Sequence, residues 1–150
     1  MLQGLLHTGV NEICIECEGT DDGVSSRQHN KIPFYRAMYE NCTIVTTNLE
    51  IDHVTQPDCD LSFFENVREV LGYVLITNNL VGRVPLTSLR VIRGRRLFRW
   101  PSQSTVARMY GLFVADNIHS PDGLQHLELP NLMGESLGVA APAGIFIGGL

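Results

Sequence analysis

Gly72-Tyr73-Val74-Leu75-Ile76-Thr77-Asn78-Asn79 is an apolar, β-branched run that closes on two asparagines. Its like recurs on both sides. Upstream lies Asn48-Leu49-Glu50-Ile51-Asp52, with Leu49 and Ile51 in step with Val74 and Ile76 at an offset of 25. Downstream lies Gly111-Leu112-Phe113-Val114, with Leu112 and Val114 in step with the same pair at an offset of 38. Asp52, Asn78-Asn79 and Asp116-Asn117 follow the three runs. An Asn or Asp after a strand can bond the backbone groups freed at a corner.

Segments of the form leucine-x-x-leucine run between them, in Pro85-Leu86-Thr87-Ser88-Leu89-Arg90-Val91-Ile92 and Leu127-Glu128-Leu129-Pro130-Asn131-Leu132. Further strands are expected at Thr43–Val45, Glu69-Val70, Val81–Val84, Leu89–Ile92 and Leu124–Leu129. Irregular leucine-rich units of about 25 residues point to a solenoid whose stacked turns bury one continuous core. A β-sandwich ranks second, because the strands are widely separated and no Asn-Gly hairpin signal is present. One helix is expected between Ile32 and Asn41, with Pro33 in its first turn and Phe34, Tyr35, Met38 and Tyr39 as its apolar face.

The chain has 150 residues, enough for one domain, and 44% of them are hydrophobic. Its 11 basic and 16 acidic residues give a net charge of −5, with none of the basic stripe that nucleic acid requires. The one basic cluster, Arg90, Arg93, Arg95, Arg96 and Arg99, reads as a solvated edge before it reads as a patch for an acidic partner. No run of 18 apolar residues is present to span a membrane, and the first residues do not read as a signal peptide.

Cys14, Cys17, Cys42 and Cys59 all lie in the first 59 residues. Cys14-Ile15-Glu16-Cys17 is a CxxC, yet no second CxxC or paired histidine set completes a zinc site, and no βαβ pattern supports a redox motif. Disulfides in an oxidising compartment are the better reading, with three pairings open. No metal and no cofactor is expected. Catalysis finds no support either: the chain lacks a Gly-x-Ser-x-Gly elbow, a phosphate loop, a calcium loop and the kinase signatures.

Several blocks resemble a known family. Cys17-Glu18-Gly19-Thr20, Tyr39-Glu40-Asn41-Cys42-Thr43-Ile44-Val45 and Asn48-Leu49-Glu50-Ile51 look like the opening of a receptor L domain. Asp60–Ile76 and Val84–Gly94 continue the likeness, which is nearer to the epidermal growth factor receptor branch than to the insulin receptor branch. The resemblance implies a mainly β fold with short helices: a right-handed β-helix, or leucine-rich solenoid, closed at one end by the helix near Pro33–Glu40. It implies a Cys17–Cys42 disulfide, whose loop of 24 intervening residues gives about 3 to 4 kcal/mol by chain-entropy reasoning. Cys14 and Cys59 remain either as a second bridge or as thiols. Asn41 of the Asn41-Cys42-Thr43 sequon is a glycosylation candidate, although the neighbouring bridge could hinder the modification.

The domain implied covers residues 14–132, after an unmatched or leader segment 1–13 and before a divergent or truncated tail 133–150. Trp100–Met109 reads as an insertion or divergent loop, and the family's closing strand is not recognisable after Leu132. The parent would be a receptor tyrosine kinase of which this chain is a fragment, extracellular at the plasma membrane and not an enzyme by itself. Its partners would be an epidermal-growth-factor-like polypeptide and other receptor extracellular domains; the alternative is a secreted or truncated decoy. Ligand contacts carried over by position are Gly19, Thr20, Asp52, His53, Asn78, Arg99 and Ala115. His53 would make binding depend on pH near about 6, against the plainer reading of a solvated surface histidine.

Overall fold

A computed structural model describes residues 13–21, 31–100, 108–117, 123–133 and 144–148. The expected leader 1–13 lies outside them apart from Ile13, as does most of the tail. The fold is mainly β with one short α-helix among the described residues. In chain order the elements are β1 (Glu16–Cys17), α1 (Lys31–Tyr39), β2 (Ile44–Val45), β3 (Leu49–Asp52), β4 (Glu69–Val70) and β5 (Val74–Thr77). Then come β6 (Arg83–Pro85), β7 (Val91–Ile92), β8 (Phe98–Trp100), β9 (Arg108–Ala115), β10 (His126–Glu128) and β11 (Gly144–Ile147).

The strands form three sheets, ordered β1-β2-β4-β7, β10-β6 and β11-β9-β5-β3. Along these three orders every neighbouring pair is parallel. That arrangement excludes the hairpin-linked sandwich. Leu49 and Ile51 stand beside Val74 and Ile76, and these beside Leu112 and Val114. The offsets read in the sequence are therefore the register of the large sheet. Alternation follows from the pleat: Leu49, Ile51, Val74, Ile76, Leu112 and Val114 point into the main core, with Leu86, Leu89 and Ile92 from the leucine-rich segments.

The chain leaves the large sheet through a corner after β5 and again after β9, and a buried asparagine closes each corner. Asn79 donates from Nδ2 to the Ile51 carbonyl (2.8 Å), and Asn117 from Nδ2 to the Ile76 carbonyl (3.1 Å). Asn79 Oδ1 accepts the Val54 amide (3.0 Å), and Asn117 Oδ1 accepts the Asn79 amide (3.1 Å). Both side chains are fully buried. Val54 lies 25 residues before Asn79, just past the end of β3, and packs in the apolar core.

The helix stops where expected. Asn41 takes a positive φ of 63°, a conformation asparagine tolerates at a helix end. Cys42 then bonds Cys17, tying β1 to the end of α1. Cys14 and Cys59 do not bridge each other: Cys14 is exposed, and Cys59 is a half-buried thiol whose pKa burial pushes up. The possible second disulfide is corrected accordingly.

Two further expectations change. Trp100–Met109 is not simply a loop: β8 pairs antiparallel with the start of β9, through Phe98↔Tyr110, Arg99↔Met109 and Trp100↔Arg108. Residues 101–107 between them lie outside the described set. The tail contributes β11, which extends the large sheet beside β9.

Tyr35 and Tyr39 sit one helical turn apart with no exposed surface, against Phe64. Burial pushes both hydroxyls far above the ordinary tyrosine value. The unfolded chain therefore releases these protons first, so stability is complete below about pH 10 and falls as pH rises further. The buried Tyr39 hydroxyl has at most a weak contact with the Thr20 hydroxyl, so phenylalanine should be tolerated there at neutral pH. The Tyr39→Phe chain should then lose less urea resistance than wild type between about pH 9.5 and about pH 11.5. Equal losses would show that the Tyr39 phenol plays no part in the alkaline transition.

Candidate ligand-binding face

Three strand exits lie side by side at one end of the large sheet. His53, Asn78 and Asp116 each follow the last residue of the neighbouring strands β3, β5 and β9 and share positive φ angles of 51°, 54° and 56°. His, Asn and Asp are the residues that enter this region most readily after glycine. The row is thus preset by backbone geometry. His53 is exposed, Asn78 half-buried and Asp116 exposed.

Asp52, just before His53, is only 5% exposed and has full work in the fold. Its Oδ1 accepts from Lys31 Nζ (2.8 Å) and from the Tyr35 hydroxyl (3.2 Å), and its Oδ2 lies 3.0 Å from His53 Nδ1. Lys31 Nζ also reaches the Asp52 carbonyl (2.6 Å) while itself only 4% exposed. Helix α1 thereby pins the end of β3 and orients the neighbouring imidazole. Nothing in the sequence marked Lys31, because a lysine opening a helix ordinarily reads as solvated.

The outer face of the sheet is not open. Tyr73, Leu75, Tyr110, Phe113 and Ala115 form a second buried apolar cluster, with Phe98 packed against it. Trp100 stacks on Phe113 at 4.9 Å, and Phe98 lies 5.0 Å from Phe113 and 5.7 Å from Tyr73. The register shift opposite Gly111 is what lets Tyr110 join Phe113 on this side. At its edge Tyr73 donates to buried Glu50 at 2.5 Å. The signal was in the sequence: Val74-Leu75-Ile76 and Leu112-Phe113-Val114 are continuous apolar runs, as strands covered on both faces show.

Of the seven expected contact residues, Asp52, His53, Asn78 and Ala115 come together at the strand exits. Gly19 and Thr20 lie at the opposite end of β3, where Thr20 N–H donates to the Asn48 carbonyl at 3.0 Å. Gly19 is glycine for a packing reason: a Cβ there would fall 1.8 Å from that same carbonyl oxygen. Arg99 projects from β8, exposed. Thr20, Asp52 and Ala115 are at most 6% exposed, which leaves His53, Asn78 and Arg99 as the accessible members with Gly19 half-buried. No His/Cys/Asp/Glu group suited to a metal occurs among the described residues. No helix among them is long and apolar enough to cross a membrane.

The receptor L domain family model matches residues 41–139. The chain is 36% identical over 142 residues to the melanoma receptor tyrosine-protein kinase of Xiphophorus maculatus, covering 88% of this chain and 12% of that protein. It is 40% identical over 121 residues to human receptor tyrosine-protein kinase erbB-4, covering 77% of this chain and 8% of the relative. Against the epidermal growth factor receptor of Gallus gallus it is 35% identical over 120 residues, covering 77% of this chain and 16% of that protein. The chain thus spans a small part of the relatives it matches, and the part matched is an L domain, so these 150 residues are not themselves a kinase. The chain belongs to the receptor L domain family, in the form carried by receptor tyrosine kinases of the epidermal growth factor receptor group.

Proposed function

We propose that this chain is the ligand-recognition domain of an epidermal-growth-factor-receptor-like protein, acting on the extracellular side of the plasma membrane. Its ligand is a polypeptide growth factor of the epidermal-growth-factor-like type, and other receptor extracellular domains are its further partners. In this reading the domain runs over 14–132. Its three sheets are the walls of a short right-handed β-helix of leucine-rich turns, with α1 closing one end. The single observation that carries the reading is the stacked row of strand exits. A row whose backbone is already set loses little conformational freedom when a partner docks. The Cys17–Cys42 bridge supports an oxidising compartment, and exposed Asn41 is a candidate for a glycan.

Within this reading His53, Asn78 and Arg99 touch the ligand, while Gly19, Thr20, Asp52 and Ala115 shape the surface beneath. The test is titration of the disulfide-intact chain with a panel of epidermal-growth-factor-like polypeptides. At least one should bind saturably, and His53→Ala and Asn78→Ala should each weaken it by about fivefold or more. No saturable binding by any member up to about 100 μM would refute the assignment.

A further inference from the structure

Most of the surface arginines find partners within the chain. Arg36 lies near Asp60 and over the Phe63 ring, Arg83 bridges Glu65 and Glu128, Arg93 pairs with Glu69, and Arg96 pairs with Asp21. Arg95, Arg99 and Arg108 are different. All three are exposed, and none makes a side-chain hydrogen bond or ion pair among the described residues. They collect on and beside one hairpin, in a chain of net charge −5 that had carboxylates to spare.

The same hairpin exposes large apolar side chains. Trp100 is 39% exposed and Met109 is 45% exposed. Cross-strand partners in a β pair lie on one face. Arg99 stands opposite Met109 and Trp100 opposite Arg108, so each face of the hairpin sets a guanidinium beside an apolar group. Strand β8 pairs with β9 and with no second strand among the described residues.

We propose that the β8–β9 hairpin docks an extended polypeptide segment in which carboxylates alternate with apolar side chains. The inference rests on the ligand-recognition reading and assigns the chemistry of the ligand where it meets Arg99. The planar guanidinium fork matches a carboxylate through two parallel hydrogen bonds. A strand edge accepts an extended chain through its main-chain groups, and neighbouring side chains select among such chains. A sulfated glycan would use the arginines but leave Met109 without a role.

The experiment uses the whole chain and three labelled probes: a short glutamate–valine alternating peptide, its lysine–valine counterpart and a heparin oligosaccharide. The glutamate peptide should bind saturably and more weakly as salt rises, and the lysine peptide should not bind. The double variant Arg99→Glu/Arg108→Glu should lose about tenfold in affinity for it. Trp100 also packs on Phe113, so Met109→Ala is the second variant; it should weaken binding while circular dichroism stays unchanged. Equal binding of both peptides, undiminished affinity in the double variant, or binding of heparin alone would overturn the proposal. A growth factor that binds wild type and the double variant equally sinks this inference and leaves ligand recognition standing. A chain that binds the glutamate peptide and no growth factor does the reverse.

Discussion

Replacing Asn79 by leucine is expected to destabilise the chain by about 1 to 3 kcal/mol. Leucine fills a similar volume, so the loss is polar. One buried backbone group would be stranded, the Val54 N–H that donates to Asn79 Oδ1, while the Ile51 carbonyl loses Asn79 Nδ2 but keeps the Thr77 N–H of the β3–β5 ladder. A stranded group costs about 1 to 3 kcal/mol. Asn117→Leu should behave alike, since it strands the Asn79 N–H. The two side chains also bond each other at 3.0 Å, so the double variant should lose less than the sum of the single losses. Val54→Asn, which looks like the family of corners completed, should destabilise as well. Its amide would be buried where the Val54 side chain now packs in the apolar core. Urea unfolding checks all four chains, and an Asn79→Leu loss below about 1 kcal/mol would remove the asparagine corner from the account of the fold.

Those corners also show how far the sequence could be read. The offsets between the apolar runs predicted the pairing of Leu49, Val74 and Leu112 because strand side chains repeat every two residues and a shift by one would turn every core residue outward. The asparagines after the runs were visible, as was the helix with its tyrosines. Strand β8 was not: three residues carry little periodic signal, and Phe98 and Trp100 gain meaning only beside Tyr110 and Phe113. The site was legible by position and not by depth. A resemblance placed Thr20, Asp52 and Ala115 on the contact surface, but it could not say that an aromatic cluster and a buried lysine would take up their exposed area. The outward residues of β5 and β9 were apolar in the sequence itself, and that pattern already argued for a covered face.

Asp52→Asn is expected to destabilise the chain by about 3 to 5 kcal/mol, because it leaves the Lys31 ammonium buried without its carboxylate. The shape is kept and the charge is removed, so the loss reports the uncompensated cation. A buried pair is often no stronger than the apolar residues that could replace it. The double variant Lys31→Met/Asp52→Leu should therefore recover more than half of that loss, which thermal or urea unfolding will show. A double variant less stable than Asp52→Asn would mean that the pair contributes net stability, and that the penalty is not a stranded charge. The same two chains separate the roles of Asp52 at the strand exit. Its carboxylate touches His53 Nδ1 while being nearly closed to solvent, so its influence on a ligand should pass through the position of His53. If so, growth-factor binding falls in Asp52→Asn and returns with stability only when the His53 backbone is held again. Binding that stays lost in a stably folded double variant would instead make the Asp52 carboxylate a direct contact or the indispensable support of the imidazole, and Asp52→Glu in the presence of Lys31 would then decide between them.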